Sequence, residues 1–201
     1  MFVFAHCSTG HGMSTSKLVE TFEALSAAFE ALGVRWYVFG AQAAIFHGIT
    51  RATADIDVTV DAGDRSTVAV ADSLTAHGFT LRYADQAFVE QTRVLPVVHA
   101  TAVPVDVVLA GPGIEELFFD RVVHRRIGQV EIPIAAAEDI IIMKILAGRP
   151  KDLEDVRGIV SAKGDLNVAQ VRETLTMLEG ALDQSDLTPV FEGIWRASGK
   201  R

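Results

Sequence analysis

Phe39-Gly40-Ala41-Gln42-Ala43-Ala44-Ile45-Phe46-His47-Gly48, followed after a short gap by Ala54-Asp55-Ile56-Asp57-Val58-Thr59-Val60, carries two period changes in close succession. Residues 34–39, before the first glycine, are β-branched and aromatic and predict a strand. Gly40 then opens a tight turn into a short helix over residues 41–47, closed by Gly48. Residues 54–60 alternate cleanly, which predicts a strand with Asp55, Asp57, Thr59 and Asp61 on one side and Ile56, Val58 and Val60 on the other. One face is acidic and the other is core. An acidic face is either solvated or arranged around a cation, since like charges side by side weaken a strand and hard divalent ions take carboxylate oxygens.

Outward from this unit, residues 18–32 place Leu18, Phe22, Leu25, Phe29 and Leu32 at helical spacing and end at Gly33. A helix over 64–77 and a strand over 79–83 follow. The valine-rich runs 94–100 and 103–110 suit neighbouring strands, with Pro96 and Pro104 expected at strand ends or on an edge. Residues 113–123 read as a helix and 129–134 as a last strand. Beyond Ala136 the pattern is helical, in segments 138–147, 153–162, 168–182 and 190–197. The fold class is therefore α/β (α+β): a mixed sheet with flanking helices over 14–135, then a helical region over 136–201 packed on it. Residues 1–13 read as a disordered extension ahead of a capped helix.

Composition narrows the function classes. Eighteen Lys and Arg against 26 Asp and Glu give a formal net charge of −8, which disfavours generic nucleic-acid binding without excluding a local basic patch. The single cysteine, Cys7, cannot form an internal disulfide, and no Cys/His set has zinc spacing. No apolar run reaches the roughly 20 residues of a membrane span, so a cytoplasmic location is expected.

Three further positions bear on chemistry. Asp106 stands in Val103-Pro104-Val105-Asp106-Val107-Val108, with apolar residues two places to either side, so its face is expected to be shielded from water. Such a carboxylate needs a countercharge, and the candidates are a metal shared with Asp55 and Asp57, a buried arginine, or a turn that it caps. Gly40 lets backbone approach a ligand, although plain turns use such glycines too. Lys144 is a lone charge in Ile140-Ile141-Ile142-Met143-Lys144-Ile145-Leu146, and it either snorkels to water or meets phosphates. Trp36, Trp195, His47 and His99 read as packing residues.

Together, Phe39-Gly40-Ala41-Gln42-Ala43-Ala44, His47-Gly48-x-x-Arg51-x-Thr53-x-Asp55-Ile56-Asp57-Val58, Val105-Asp106-Val107, and Lys144 with Ala147-Gly148-Arg149-Pro150-Lys151-Asp152-Leu153-x-Asp155 resemble a known pattern. It is that of the nucleotidyltransferase superfamily typified by DNA polymerase beta, in particular toxin-like bacterial transferases of the AbiE type. The likeness runs over roughly residues 34–160. It implies that Asp55, Asp57 and Asp106 bind two Mg2+ ions, and that the turn at Gly40 and Ala41 holds the triphosphate of an NTP. Arg51, Thr53, Lys144 and Asp152 are implied as further nucleotide-binding residues. The implied reaction transfers a nucleoside monophosphate to an acceptor hydroxyl and releases pyrophosphate, with Asp106 helping to deprotonate the acceptor.

By the same resemblance the acceptor is tRNA or another RNA end, for which Arg121, His124, Arg125 and Arg126 offer a basic surface unless they form a solvated helix end. A small molecule, as in antibiotic-modifying transferases, is the second choice and suits the acidic charge. An antitoxin partner is also implied. The family usually has serine or glycine where this chain has Ala41, so a catalytically silent nucleotide- or partner-binding relative is the alternative. A plain interaction domain without a site is the third reading. Asp152 and Asp155 can also be read as a helix cap and a surface acid, and Arg51 as an exposed loop arginine.

Overall fold

The computed structural model describes residues 12–82 and 86–200. Cys7 and most of the expected extension lie outside them, whereas Gly12 and Met13 already belong to the first helix, α1 (Gly12–Leu32). Among the described residues seven strands form one mixed sheet: β1 (Arg35–Phe39), β2 (Ile56–Asp61), β3 (Phe79–Leu81), β4 (Val94–His99), β5 (Pro104–Leu109), β6 (Val123–Ile127) and β7 (Val130–Ile134), in spatial order β3-β4-β5-β2-β1-β7-β6. The pairs β2–β5 and β1–β7 are parallel, and the other four are antiparallel. The expected α/β class is what is found.

The two faces of the central strands diverge as the alternation requires. Trp36, Val38, Ile56, Val58 and Val60 are buried, and the rings of Phe29 and Trp36 meet at 5.2 Å, so α1 covers that face. On the opposite face Tyr37 packs edge-on against Phe119 of α5 (Ile114–Phe119) at 4.8 Å, and Asp57 and Asp106 lie farther along the same face. Between β1 and β2 the chain forms α2 (Gly40–Phe46), which touches α1 through Phe22 and Phe46. Helices α3 (Thr67–Ala76) and α4 (Gln86–Thr92) flank β3.

The last four helices are α6 (Ala137–Ala147), α7 (Pro150–Ala162), α8 (Val168–Leu182) and α9 (Leu187–Ala197). Their buried residues, among them Ile140, Val156, Leu175 and Phe191, form one continuous apolar cluster with the sheet residues. Trp195 belongs to it too, and Trp36, His47 and His99 are likewise buried.

Four local expectations change. β2 starts at Ile56, so the exposed Asp55 lies just before the strand rather than on its acidic face. The helix expected over 113–123 stops at Phe119, and residues 123–127 form edge strand β6, turning through Gly128-Gln129 into β7. Gly128 has φ +59°, which a two-residue hairpin loop of this kind requires. The run His124-Arg125-Arg126 therefore lies on an edge strand, not a helix end. Helix α4 was not foreseen. Finally, Pro96 lies inside β4, which pairs on both sides. Its carbonyl accepts from Arg82 N at 2.9 Å on the β3 side, so its missing N–H falls on that side, where β3 has already ended at Leu81.

Candidate active site

Parallel pairing of β2 and β5 puts Asp57 and Asp106 directly in register at the centre of the sheet. Adjacent strands are about 4.8 Å apart, so the two carboxylates are close neighbours on one face. Antiparallel pairing of β1 with β2 sets Phe39 opposite Asp57, and the chain turns into α2 immediately above it. Gly40 makes this turn possible on two counts. Its φ is +65°, and a Cβ there would fall 2.0 Å from Asp57 Oδ2. The next residue, Ala41, donates its backbone N–H to the Asp57 carboxylate.

Asp57 is half-buried, and its pKa is pushed up to about 6. Burial is the largest cause, followed by the charges of Asp106 and then Asp55, while the Ala41 N–H and the charge of Lys144 pull the other way. All three expected carboxylates thus act on one locus. They do not form a closed cage: among the described residues no three of His, Cys, Asp and Glu stand together as metal ligands.

Asp106 is not shielded from water as its apolar neighbours suggested. Its side chain is 40% exposed and forms an ion pair with Arg82, itself 32% exposed. The strand neighbours Pro104 and Val108 are only partly buried, because the face opens at this point.

The second cluster lies at the junction of α6 and α7. Lys144 does not snorkel: it is buried, and its Nζ donates to Asp155 Oδ2 at 2.6 Å and Asp152 Oδ1 at 3.2 Å. Asp155 also accepts from Arg51 at 2.7 Å, and Asp152 Oδ2 accepts from Arg149 Nε at 2.5 Å. Burial would raise the pKa of Asp152, but Arg149 and Lys144 outweigh it and hold the carboxyl below its usual value. Asp152 and Asp155 are buried, which removes the reading of a surface acid, and the N-cap of α7 is Arg149. Arg51 is a loop residue but not a free one.

Arg149 was missed as a site residue, although it stands in the motif. Its side chain is 61% exposed beyond the Asp152 contact, and Asp152 first, then to a smaller degree Asp57, raises its pKa. Arg82 was missed entirely, because nothing in its own sequence neighbourhood ties it to Asp106. Thr53 is not drawn into either cluster: it lines a separate cavity of about 120 Å³ with Lys17, Thr101 and Pro104. A larger cavity, about 470 Å³, lies beside the ionic cluster between Ile49, Arg51, Lys151, Glu154 and Asp155. Arg121, one of the expected basic residues, is paired with the buried Asp139 at 3.2 Å.

Known proteins share this fold. The solution structure of the antibiotic-resistance factor ANT(2'')-Ia is similar in fold, with a TM-score of 0.59 at 16% identity over 84% of this chain and 96% of the other. The lincomycin-bound lincosamide antibiotic adenylyltransferase LnuA matches with a TM-score of 0.50 and 17% identity, covering 72% of this chain and 96% of that one. An antigenic nucleotidyltransferase-like protein from Paracoccidioides brasiliensis matches with 0.53 and 14%, covering 88% and 93%. At these identities the likeness is one of fold. No curated protein matches in sequence. A family profile, however, matches residues 16–178, and on that match the chain belongs to the family described as nucleotidyltransferase of unknown function (DUF6036).

Proposed function

We propose that this chain transfers a nucleoside monophosphate from an NTP to an acceptor hydroxyl in a Mg2+-dependent reaction. The observation that carries the reading is the in-register pair Asp57 and Asp106 with the glycine turn closed down on Asp57.

The donor chemistry fits a divalent ion. Two hard oxygen donors lie side by side, and the charge of Asp106 acts on Asp57 without a cation paired to Asp57 among the described residues. Mg2+ is commonly held by one or two carboxylates together with substrate phosphates and water, so a complete protein cage is not required. Asp57 and Asp106 would hold the ions, with Asp55 adding charge at the open end. Bound there, the pair of Mg2+ ions would supply charge neutralisation for the attacking and leaving oxygens.

The chain's own residues would do the rest. Asp106, the more open of the pair, would take the proton of the acceptor hydroxyl as its oxygen bonds to the α-phosphorus. The bond from that phosphorus to the β-phosphate bridging oxygen breaks, and pyrophosphate leaves. Arg149, held at Nε by Asp152, would present its exposed end to the phosphates. Lys144 would act at one remove, fixing Asp152 and Asp155 and lowering the cost of charge on Asp57.

Of the acceptors, a cationic small molecule suits the net charge of −8 better than RNA does. The basic surface expected for RNA is also reduced, because Arg121 is committed to Asp139. Incubation with Mg2+, α-labelled NTPs and either an aminoglycoside and lincosamide panel or total tRNA tests the reading. Label is expected on a small molecule, lost in Asp57→Ala. Label on tRNA alone would move the acceptor to RNA, and no transfer to any acceptor, nor to the protein itself, would refute the enzyme. The Arg82–Asp106 pair favours a second reading, a silent relative that binds nucleotide without turnover. Calorimetric binding of NTP by a chain that never releases pyrophosphate would establish it.

A further inference from the structure

We propose that Arg82 competes with the divalent cation for Asp106, acting as a built-in countercharge that must leave before the metal can bind. The inference rests on the metal-dependent reading of the Asp57 and Asp106 pair.

The arrangement is asymmetric. Asp57 and Asp106 are in register, yet only Asp106 has a cation on it, and among the described residues Asp57 forms no ion pair. Arg82 reaches Asp106 from two strands away. Its backbone N–H is fixed on Pro96 O at 2.9 Å, and Pro96 is itself the residue opposite Asp106. The guanidinium therefore lies across the strand at Pro96, at the end of an edge strand only three residues long.

This is a contact built to be released. Both side chains are about a third exposed or more, and exposed pairs of this kind are weak, because water screens the attraction and a long side chain must be held still. Arg82 also brings one positive charge to one carboxylate. A divalent ion seated between the in-register acids brings two charges to both, so the exchange favours the ion wherever it is abundant. The apparent metal affinity is then reduced by the fraction of molecules in which Arg82 holds Asp106.

Mn2+ titration calorimetry on the full chain tests this without reference to turnover. Arg82→Gln is expected to bind Mn2+ about 2- to 5-fold more tightly than wild type. Arg93→Gln, which removes an arginine paired with Glu115 rather than with the two acids, is expected to leave Mn2+ affinity unchanged, and equal tightening by both substitutions would show a general change of charge and overturn the competition. Melting followed by circular dichroism checks folding, and Arg82→Met, which keeps the apolar stem, replaces the glutamine variant if that one does not fold. Unchanged or weaker Mn2+ binding by the folded variant overturns the competition while leaving the metal site standing. Absence of Mn2+ binding by both wild type and variant overturns the metal site and the competition together.

Discussion

At Asp57 three unfavourable circumstances meet: partial burial, an in-register carboxylate and a third acid just upstream. They push its pKa up to about 6, and the consequence for stability has a definite sign. The folded state keeps a proton that the unfolded chain releases from about pH 4 upward, so this residue makes the metal-free protein less stable as pH rises from about 4 through about 6. The buried Asp139, also raised to about 6 chiefly by burial, adds to the same trend. Asp57→Asn removes its own share. Metal-free, it should be more stable than wild type at pH 7.5, by about 1–2 kcal/mol after allowing for solvent screening, and equal to it near pH 3.5. Chemical denaturation at the two pH values measures this, and a variant that is less stable at pH 7.5 would contradict it. The face that Asp57 takes was legible in the sequence because period-2 alternation states which side chains of one strand lie together, whereas its pairing with Asp106 depends on which strands become neighbours. The role of Asp55 was less so: where a strand begins depends on its partner, and β5 starts pairing only at Ile56.

Among the elements, the turn from β1 into α2 is where sequence and site are most tightly joined. Gly40→Ala would put a methyl group onto the Asp57 carboxylate at a backbone angle that side chains avoid. A loss of roughly 1–3 kcal/mol is expected, together with loss of metal binding, because Asp57 must move. Thermal melts with and without Mn2+ check both parts. At the α6–α7 junction the buried ammonium of Lys144 holds two buried carboxylates. Lys144→Met leaves them short of a cation and should cost about 3–5 kcal/mol. Arg149→Gln removes a mostly exposed partner and should cost no more than about 1 kcal/mol. Equal losses in urea denaturation would show that the cluster is not organised around Lys144. The lysine stood out in the sequence as a lone charge in an apolar helix. Its partners did not, since helix periodicity cannot tell that Asp152 and Asp155 face inward across a Gly148 turn. The hairpin β6–β7 was half hidden for a related reason: His124-Arg125-Arg126 interrupts the apolar alternation that marks a strand, and its pairing with β7 is a tertiary fact.

Over the whole molecule, the sheet and the four final helices share one apolar cluster. The chain should therefore unfold in a single cooperative step. Far-ultraviolet circular dichroism and tryptophan fluorescence, which here reads Trp36 in β1 and Trp195 in α9, should give coincident transitions, and a separate melt of the helical region would contradict a shared core. The α/β class was legible because apolar periodicity changes from 3.6 to 2 and back along the chain, although α4 and β6 were missing from the expected order. The union of Asp57 with Asp106 was expected from the resemblance, whereas Arg82 was not, because its reach across Pro96 exists only once three strands are assembled. The in-register carboxylates are proposed as a divalent-metal site for a nucleotide. The most direct measurement is a crystal soaked with Mn2+ and a nonhydrolysable NTP, read by anomalous scattering. A Mn2+ peak between Asp57 and Asp106, phosphate density beside Arg149, and Arg82 withdrawn from Asp106 are expected. Density showing Asp106 still held by Arg82, with no metal peak at the pair, would contradict the proposed site.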